Sequence, residues 1–198
     1  MKIYKVYICS GHSESPKSYS REDEIDADVS QKLQDRIMSD VKSIERTDIT
    51  AVVIPFYLKT LTNKINFANT RNADLYISLH CNYSDTNKEA KGFNIFHDTI
   101  ETAETPAKVE LAIKSKRLAE LVSGHLITAG FNPFGMAVLP DSHAAVKDLG
   151  VCRLTTMPSI LIELGFLSNP EDAENLEKDD IQNKMAEAIK KGIYNYLL

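Results

Sequence analysis

The apolar positions of this chain follow two different periods, and the period changes several times along the sequence. Runs rich in β-branched and aromatic residues predict β-strands at 3–9, 49–55, 73–80, 92–97, 151–154 and 159–164. Apolar residues at helical spacing predict a helix from residue 22 onward and further helices at 57–70, 106–129 and 181–198. The segment 131–149 contains two prolines and is expected to be irregular.

Strands that alternate with helices predict an α/β fold. We expect a largely parallel twisted sheet of about five to six strands with helices on both faces, in a three-layer α/β/α arrangement. A chain of 198 residues is long enough for one domain with a sizeable core. Because no linker or internal repeat divides the sequence, we predict a single domain over 1–198.

Composition and charge narrow the possible functions. Apolar residues make up 43% and charged residues 26%, which is typical of a globular protein. The net charge of −5 gives no electrostatic footprint for nucleic acid or an anionic surface, so we expect neither nucleic acid nor membrane as a partner. Three widely spaced cysteines predict neither a disulfide framework nor a thiolate metal site. The start of the chain lacks the pattern of a signal peptide, so we expect synthesis in the cytoplasm without one.

Three predicted strands end at side chains that can carry chemistry. His12 follows the first strand, His80 ends the third, and Glu163 follows the last apolar run. The carboxyl ends of parallel strands meet at one edge of a sheet, where ligands bind in folds of this class. Two imidazoles and one carboxylate are a common ligand set for a catalytic zinc ion, which keeps a position open for water. Glu22 or Glu24, near the start of the first helix, could supply the carboxylate.

Glu163 would then act as a general base and acid, because a carboxylate near an acidified water can take its proton and return it. The remaining histidines, His97, His125 and His143, are interpreted as structural or surface residues. Cys81 follows His80 on a strand, so its side chain should point to the opposite face.

Four segments resemble the zinc-dependent N-acetylmuramoyl-L-alanine amidases of the amidase-3 family, and the resemblance extends over nearly the whole chain. Residues 10–12, Ser-Gly-His after a strand, are similar to the family's Gly-His-Gly-Gly. Residues 22–33 place apolar side chains three, seven and eleven positions after a glutamate. The segments 66–82, which contains Ala-Asp-Leu-Tyr-Ile-Ser-Leu-His-Cys-Asn, and 158–169, which contains Ile-Glu-Leu-Gly-Phe, carry the most specific similarity.

The resemblance implies hydrolysis of the amide bond between N-acetylmuramic acid and L-alanine in bacterial peptidoglycan. It implies one zinc ion, with His12, Glu22 and His80 as ligands and Glu163 as the catalytic residue. The apolar register after Glu22 favours that residue over Glu24.

Arg153 and Asn82 are further candidates at the predicted site. Arg153, at the end of the predicted strand 151–154, could hold an oxyanion or a peptide carboxylate, although an ordinary surface arginine is an equally good interpretation. Asn82 occupies the asparagine position of the His-x-Asn signature and is predicted to bind substrate.

The chain also departs from the family pattern. Serine and glutamate follow His12 where the family has two glycines, Asp26 replaces the usual asparagine, and Lys64 replaces an arginine. Two alternatives stay open: a non-catalytic peptidoglycan-binding relative, and another zinc peptidase or deacylase that acts on cell-wall peptides. Because neither a signal peptide nor a separate cell-wall-binding domain is predicted, we expect a phage or prophage lysin that reaches the wall after release, a tail- or bacteriocin-associated amidase, or an excised catalytic domain. We also expect a monomer.

Overall fold

A six-stranded sheet lies at the centre of the computed structural model, which describes residues 2–11, 21–43, 47–55, 57–100, 103–145 and 149–198. The strands are β1 (Tyr4–Ser10), β2 (Ile49–Val53), β3 (Leu75–Asn82), β4 (Phe93–His97), β5 (Pro133–Pro140) and β6 (Ser159–Phe166). Their order across the sheet is β2-β1-β3-β6-β4-β5. All neighbouring strands are parallel except β4 and β6, which are antiparallel. The predicted largely parallel sheet is confirmed.

Helices pack against both faces of the sheet. They are α1 (Arg21–Lys42), α2 (Leu61–Thr70), α3 (Pro106–Thr128), α4 (Gly150–Arg153), α5 (Pro170–Leu176) and α6 (Asp179–Leu197). The larger apolar core joins one face of the sheet to α1, α3 and α6, and the smaller core joins the other face to α2 and α4. The three-layer α/β/α arrangement is therefore the one that the sequence predicts.

The first helix forms as its pattern predicts. Ile25, Val29, Leu33 and Ile37 recur every four residues, and all four are buried against the sheet and α6. Three acidic residues occupy its first turn, where carboxylates interact favourably with the helix dipole. The helix thus begins with negative charge at the carboxyl edge of the sheet.

Side chains alternate between the two cores along the central strands. On β3, Leu75, Ile77 and Leu79 lie in the larger core, whereas Tyr76 lies in the smaller one. The same alternation places His80 on the face covered by α2 and α4. Cys81 lies in the larger core, as predicted from its position next to the histidine.

Two sequence predictions about local structure are wrong. The segment 131–149 is not irregular throughout, because Pro133–Pro140 forms the edge strand β5. Its pairing with β4 shifts register around Gly135, whose φ of +63° is one that glycine adopts without strain. The run 151–154 is not a strand, because Gly150–Arg153 forms the short helix α4.

Smaller differences concern the ends of elements. Strand β3 extends to Asn82, two residues past its predicted end, and α2 begins at Leu61 and not at residue 57. Among the described residues, no helix is long and apolar enough to cross a membrane.

Candidate active site

The registers of three parallel strands bring the predicted site residues to one edge of the sheet. β1, β3 and β6 are adjacent and parallel, so their carboxyl ends coincide. His80 pairs directly with Glu163 across β3 and β6. Because paired residues in a parallel register point to the same face, these two side chains are neighbours.

A cavity of about 370 Å³ opens on this face. His80, Asn82 and Glu163 contribute polar groups from the strands, and Lys59 and Lys64 add cationic side chains. Most of its remaining wall is apolar, formed by side chains from α2, the strands and the segment before β6: Leu61, Phe96, Ala144, Leu149, Val151 and Leu161. A mostly apolar cleft with a few convergent polar groups is typical of a ligand site.

Glu22 and Asp26 reach this edge from the first turns of α1. Glu22 Oε1 lies 3.5 Å from His80 Nδ1 and accepts a hydrogen bond from the backbone N–H of Cys81 at 3.3 Å. Ligand atoms of Glu22, Asp26 and His80 all lie within 4.8 Å of one another. The structure therefore assembles two carboxylates and an imidazole in a geometry that can hold a metal ion.

Gly11 provides the space in which these groups approach one another. A Cβ atom at this position would lie 2.4 Å from Asp26 Oδ2 and 2.8 Å from His80 Nδ1. Any larger residue would displace one of the two side chains. The glycine before His12 is thus required by close packing at the site.

Lys64 fixes the backbone that leads into the site. Its buried ammonium group donates hydrogen bonds to the carbonyl oxygens of Ser10 at 3.2 Å and Gly11 at 2.6 Å. These are the last two residues before His12. The lysine, which replaces an arginine of the family pattern, holds the end of β1 in place.

Two acidic side chains at this edge have an oxygen that no hydrogen bond from the described residues satisfies. Glu163 Oε2 and Asp26 Oδ2 are buried and have no hydrogen-bond partner within the described ranges. Burial, reinforced by the charge of Glu22, raises the pKa of Glu163 to about 8. Burial also raises the pKa of Asp26, with the charges of Glu22 and Glu163 acting in the same direction. A bound cation would relieve both effects.

The predicted site residues differ in where they lie. Glu22, His80, Asn82 and Glu163 come together at the edge just described. His12 lies outside the described residues. Glu24 is exposed and is not part of the group that Glu22 forms with Asp26 and His80.

Arg153 lies away from the cavity. It is exposed on α4, is not among the residues that line the cavity, and its charge acts on Asp98. His97 is buried, with Nδ1 2.7 Å from the carbonyl oxygen of Asp98, which agrees with its interpretation as a structural residue.

Sequence reasoning did not identify Asp26 as a candidate ligand. The sequence carried a signal, because Asp26 stands one helical turn after Glu22 and departs from the asparagine of the family pattern. Its meaning depends on the close approach of Gly11, which spacing along the chain does not show.

The donor set fits zinc. Imidazole nitrogen and carboxylate oxygen are ligands that zinc accepts. The two carboxylate oxygens for which the described part of the chain offers no hydrogen-bond partner mark a place where positive charge is needed. His80 and Glu22 lie where the predicted ligands should be, at the carboxyl edge of the sheet. Fold and site together describe an α/β domain with a candidate metal centre, formed by Glu22, Asp26 and His80, at the carboxyl edge of its sheet.

Comparison with known proteins identifies the family. The chain belongs to the Amidase_3 family, N-acetylmuramoyl-L-alanine amidase, which it matches over residues 6–195. The family that the sequence resemblance predicts is therefore confirmed.

Two relatives and one solved structure illustrate the similarity. An uncharacterised cell wall amidase of Bacillus anthracis is 32% identical over 69% of this chain, which spans 24% of that relative. The N-acetylmuramoyl-L-alanine amidase LytC of Bacillus subtilis is 27% identical over 96% of this chain, which spans 35% of LytC. The catalytic domain of CwlV from Paenibacillus polymyxa shares the fold, with a TM-score of 0.75, 23% identity and 98% of each chain covered.

Proposed function

We propose that this chain is a zinc-dependent hydrolase that cleaves the amide bond between N-acetylmuramic acid and L-alanine of the peptidoglycan stem peptide. The observation that carries the proposal is the pairing of His80 with Glu163 across β3 and β6, beside Glu22 and at the mouth of a cavity. Family membership supplies the reaction, and this arrangement supplies residues able to perform it.

One zinc ion, when bound, supplies Lewis-acid polarisation of the scissile carbonyl and acidifies the attacking water. Glu22 and His80, together with His12, are the residues proposed to hold it. Glu22 and His80 lie at the carboxyl edge of the sheet, His12 follows β1 in the sequence, and the ligand types suit the ion.

Glu163 is proposed to move the proton. Its carboxylate accepts a proton from the attacking water and gives it to the nitrogen of L-alanine as the amide bond breaks. In the metal-free site, burial and the charge of Glu22 raise the pKa of Glu163, so this carboxyl group holds a proton more readily than an exposed glutamate does. Oε2, which has no hydrogen-bond partner among the described residues, is available for this task.

The rest of the cavity is proposed to bind substrate. Its apolar wall suits the methyl groups of the lactyl and alanyl units and excludes water around the reacting amide. Asn82 lines the cavity and can hydrogen-bond the substrate. Arg153, if it binds substrate, would contact a part of the stem peptide that extends beyond the cavity.

We also propose that residues 1–198 act as a single domain and a monomer on the bacterial wall. Release as a phage or prophage lysin is part of the same proposal. Gel filtration with light scattering tests the monomer directly, and a mass near the 22.2 kDa of one chain is expected.

The proposal is tested on purified peptidoglycan with wild type, Glu163→Gln and Glu171→Gln. Glu171 is an exposed glutamate on α5, so its variant controls for the same substitution outside the site. Wild type and Glu171→Gln should release new alanine amino termini without new reducing sugar ends. Glu163→Gln should lower kcat by roughly 10²- to 10⁴-fold while it retains zinc.

Other outcomes identify the alternatives. A wild type that binds zinc and wall but releases nothing would indicate a non-catalytic relative. Products shortened at the far end of the stem peptide would indicate a carboxypeptidase. Full activity of Glu163→Gln would remove that residue from the mechanism.

A further inference from the structure

Asp26 is a buried carboxylate with one oxygen that the described residues leave unsatisfied. The residue is fully buried, and its Oδ1 accepts a hydrogen bond from the thiol of Cys81 at 3.4 Å. Its Oδ2 has no hydrogen-bond partner among the described residues and points to the narrow space beside Gly11. Burying such an atom without a hydrogen-bond partner destabilises the fold, so we expect the carboxylate to have a function that offsets this cost.

The position of this oxygen suggests the reason. Glu22 and Asp26 are four residues apart on α1, so their side chains extend from the same face of the helix. Their ligand atoms and that of His80 lie within 4.8 Å of one another. Ligand atoms about 2.0–2.2 Å from one zinc ion lie at most ~4.4 Å apart, so small side-chain shifts bring all three onto the same ion.

We propose that Asp26 is an additional ligand of the bound zinc ion, alongside Glu22 and His80. The inference rests on the proposed function, because the ion is the one assigned to the amidase site. It gives this chain one carboxylate ligand more than the histidine, glutamate and histidine that the family resemblance implies, so the attacking water would have to occupy a fifth position on the ion. The family's usual residue at this position is asparagine, which lacks the negative charge.

A purely structural role explains Asp26 less well. Asp172, a carboxylate with a structural role, accepts hydrogen bonds on one oxygen from the backbone N–H groups of Gly92 and Phe166, both at 2.8 Å. Asp26 has only a weak thiol donor on one oxygen and nothing among the described residues on the other. An asparagine would accept the thiol hydrogen bond equally well and would avoid a buried charge near Glu22 and Glu163.

The substitution Asp26→Asn tests the proposal, because it keeps the shape of the side chain and restores the usual family residue. Zinc affinity is measured by competition with a chromophoric chelator, on wild type, Asp26→Asn, Glu22→Gln and Asp28→Asn. Asp28 is exposed on the same helix and controls for loss of one acidic charge near the site. Asp26→Asn should weaken zinc binding by at least about tenfold, whereas Asp28→Asn should leave it within about twofold.

Cobalt substitution separates ligation from a charge effect. The visible absorption of protein-bound Co²⁺ depends on the number and type of its ligands. The spectrum should change in Asp26→Asn if the carboxylate binds the ion, and should stay the same in Asp28→Asn. Circular dichroism of the metal-free variants confirms that each is folded.

The outcomes separate this inference from the proposed function. Wild-type zinc affinity and an unchanged cobalt spectrum in Asp26→Asn would overturn the inference and leave the amidase proposal intact. A weaker affinity with an unchanged spectrum would also overturn it, because the carboxylate would then act through charge alone. A wild type that binds no zinc would overturn both.

Discussion

The two edges of the sheet each bury acidic side chains, but within the described ranges only one edge leaves carboxylate oxygens of these side chains without a hydrogen-bond partner. At the edge where β4 and β5 end, Asp141 Oδ1 accepts hydrogen bonds from the backbone N–H of Thr99 at 3.0 Å and from its hydroxyl at 2.5 Å. At the opposite edge, Asp26 and Glu163 each bury an oxygen with no partner in the described ranges. A buried carboxylate with hydrogen-bonded oxygens stabilises the loops that donate to it. A buried carboxylate whose oxygen lacks a hydrogen bond indicates a position for a cation or a proton.

The edge at which a buried carboxylate lies does not by itself decide whether its oxygens are hydrogen-bonded. Asp172 lies near the end of β6, close to the candidate active site in sequence, and is satisfied by two backbone N–H groups. The useful distinction is therefore the hydrogen-bond count of each oxygen. Three substitutions test this comparison.

The largest effect on stability is expected at Asp141. In metal-free protein, Asp141→Ala should lower the free energy of unfolding by roughly 2–4 kcal/mol, because buried donors of Thr99 lose a charged acceptor. Asp26→Ala, the matched change at the other edge, should cost much less or increase stability, since it removes an unpaired buried carboxylate. Denaturant unfolding of both variants measures the difference. Equal losses of unfolding free energy in Asp141→Ala and Asp26→Ala would contradict the proposed difference between the two edges.

An intermediate effect is expected at Gly11. Gly11→Ala places a methyl group against Asp26 Oδ2 and His80 Nδ1, and such overpacking costs about 1–3 kcal/mol. We expect this cost to appear as weaker zinc binding, measured by chelator competition. Gly124→Ala, in an open position of α3, is the control and should raise stability by about 0.5–1 kcal/mol. Wild-type zinc affinity in Gly11→Ala would contradict the close packing described here.

The smallest effect concerns pH. The pKa of Glu163 is raised from an ordinary 4.5 to about 8, so its folded form favours the proton. The contribution of Glu163 to the free energy of unfolding is therefore fully present below about pH 4.5 and is lost as the pH rises through about 8. Metal-free wild type should lose about 1–2 kcal/mol more between pH 5 and pH 8 than Glu163→Gln does, after allowance for partial exposure.

Unfolding curves at the two pH values provide the measurement, with Glu171→Gln as the control that should follow wild type. Added zinc should reduce the pH dependence of wild type. A Glu163→Gln variant whose stability has the same pH dependence as that of wild type would show that burial does not raise the pKa of Glu163.

Long periodic patterns made most of the fold predictable from sequence. The four-residue repeat of α1 and the apolar strands β3 and β6 were long enough to distinguish helix from strand. The run 151–154 was not, because four residues complete barely one helical turn and show no period. Prolines at both ends of β5 and the bend at Gly135 hid that edge strand.

The candidate site was predictable only in part, for a similar reason. His80 and Glu163 follow the apolar runs of β3 and β6, and the parallel register that pairs them follows from the alternation of strands and helices. Asp26 depends on contacts between α1, β3 and Gly11, which no local pattern contains. Leu61 of α2 is 40% exposed and lines the cavity, a position that its helical spacing does not reveal.

The central claim is that a metal ion binds at the edge of the sheet that carries Asp26 and Glu163, and not at the edge that carries Asp141. An anomalous-scattering map of zinc-soaked crystals, recorded at the zinc absorption edge, tests it directly. The account predicts one peak within about 2.0–2.2 Å of His80 Nδ1 and a carboxylate oxygen of Glu22, and no peak beside Asp141. Absence of a peak at His80, or an ion bound at the Asp141 edge, would contradict the account.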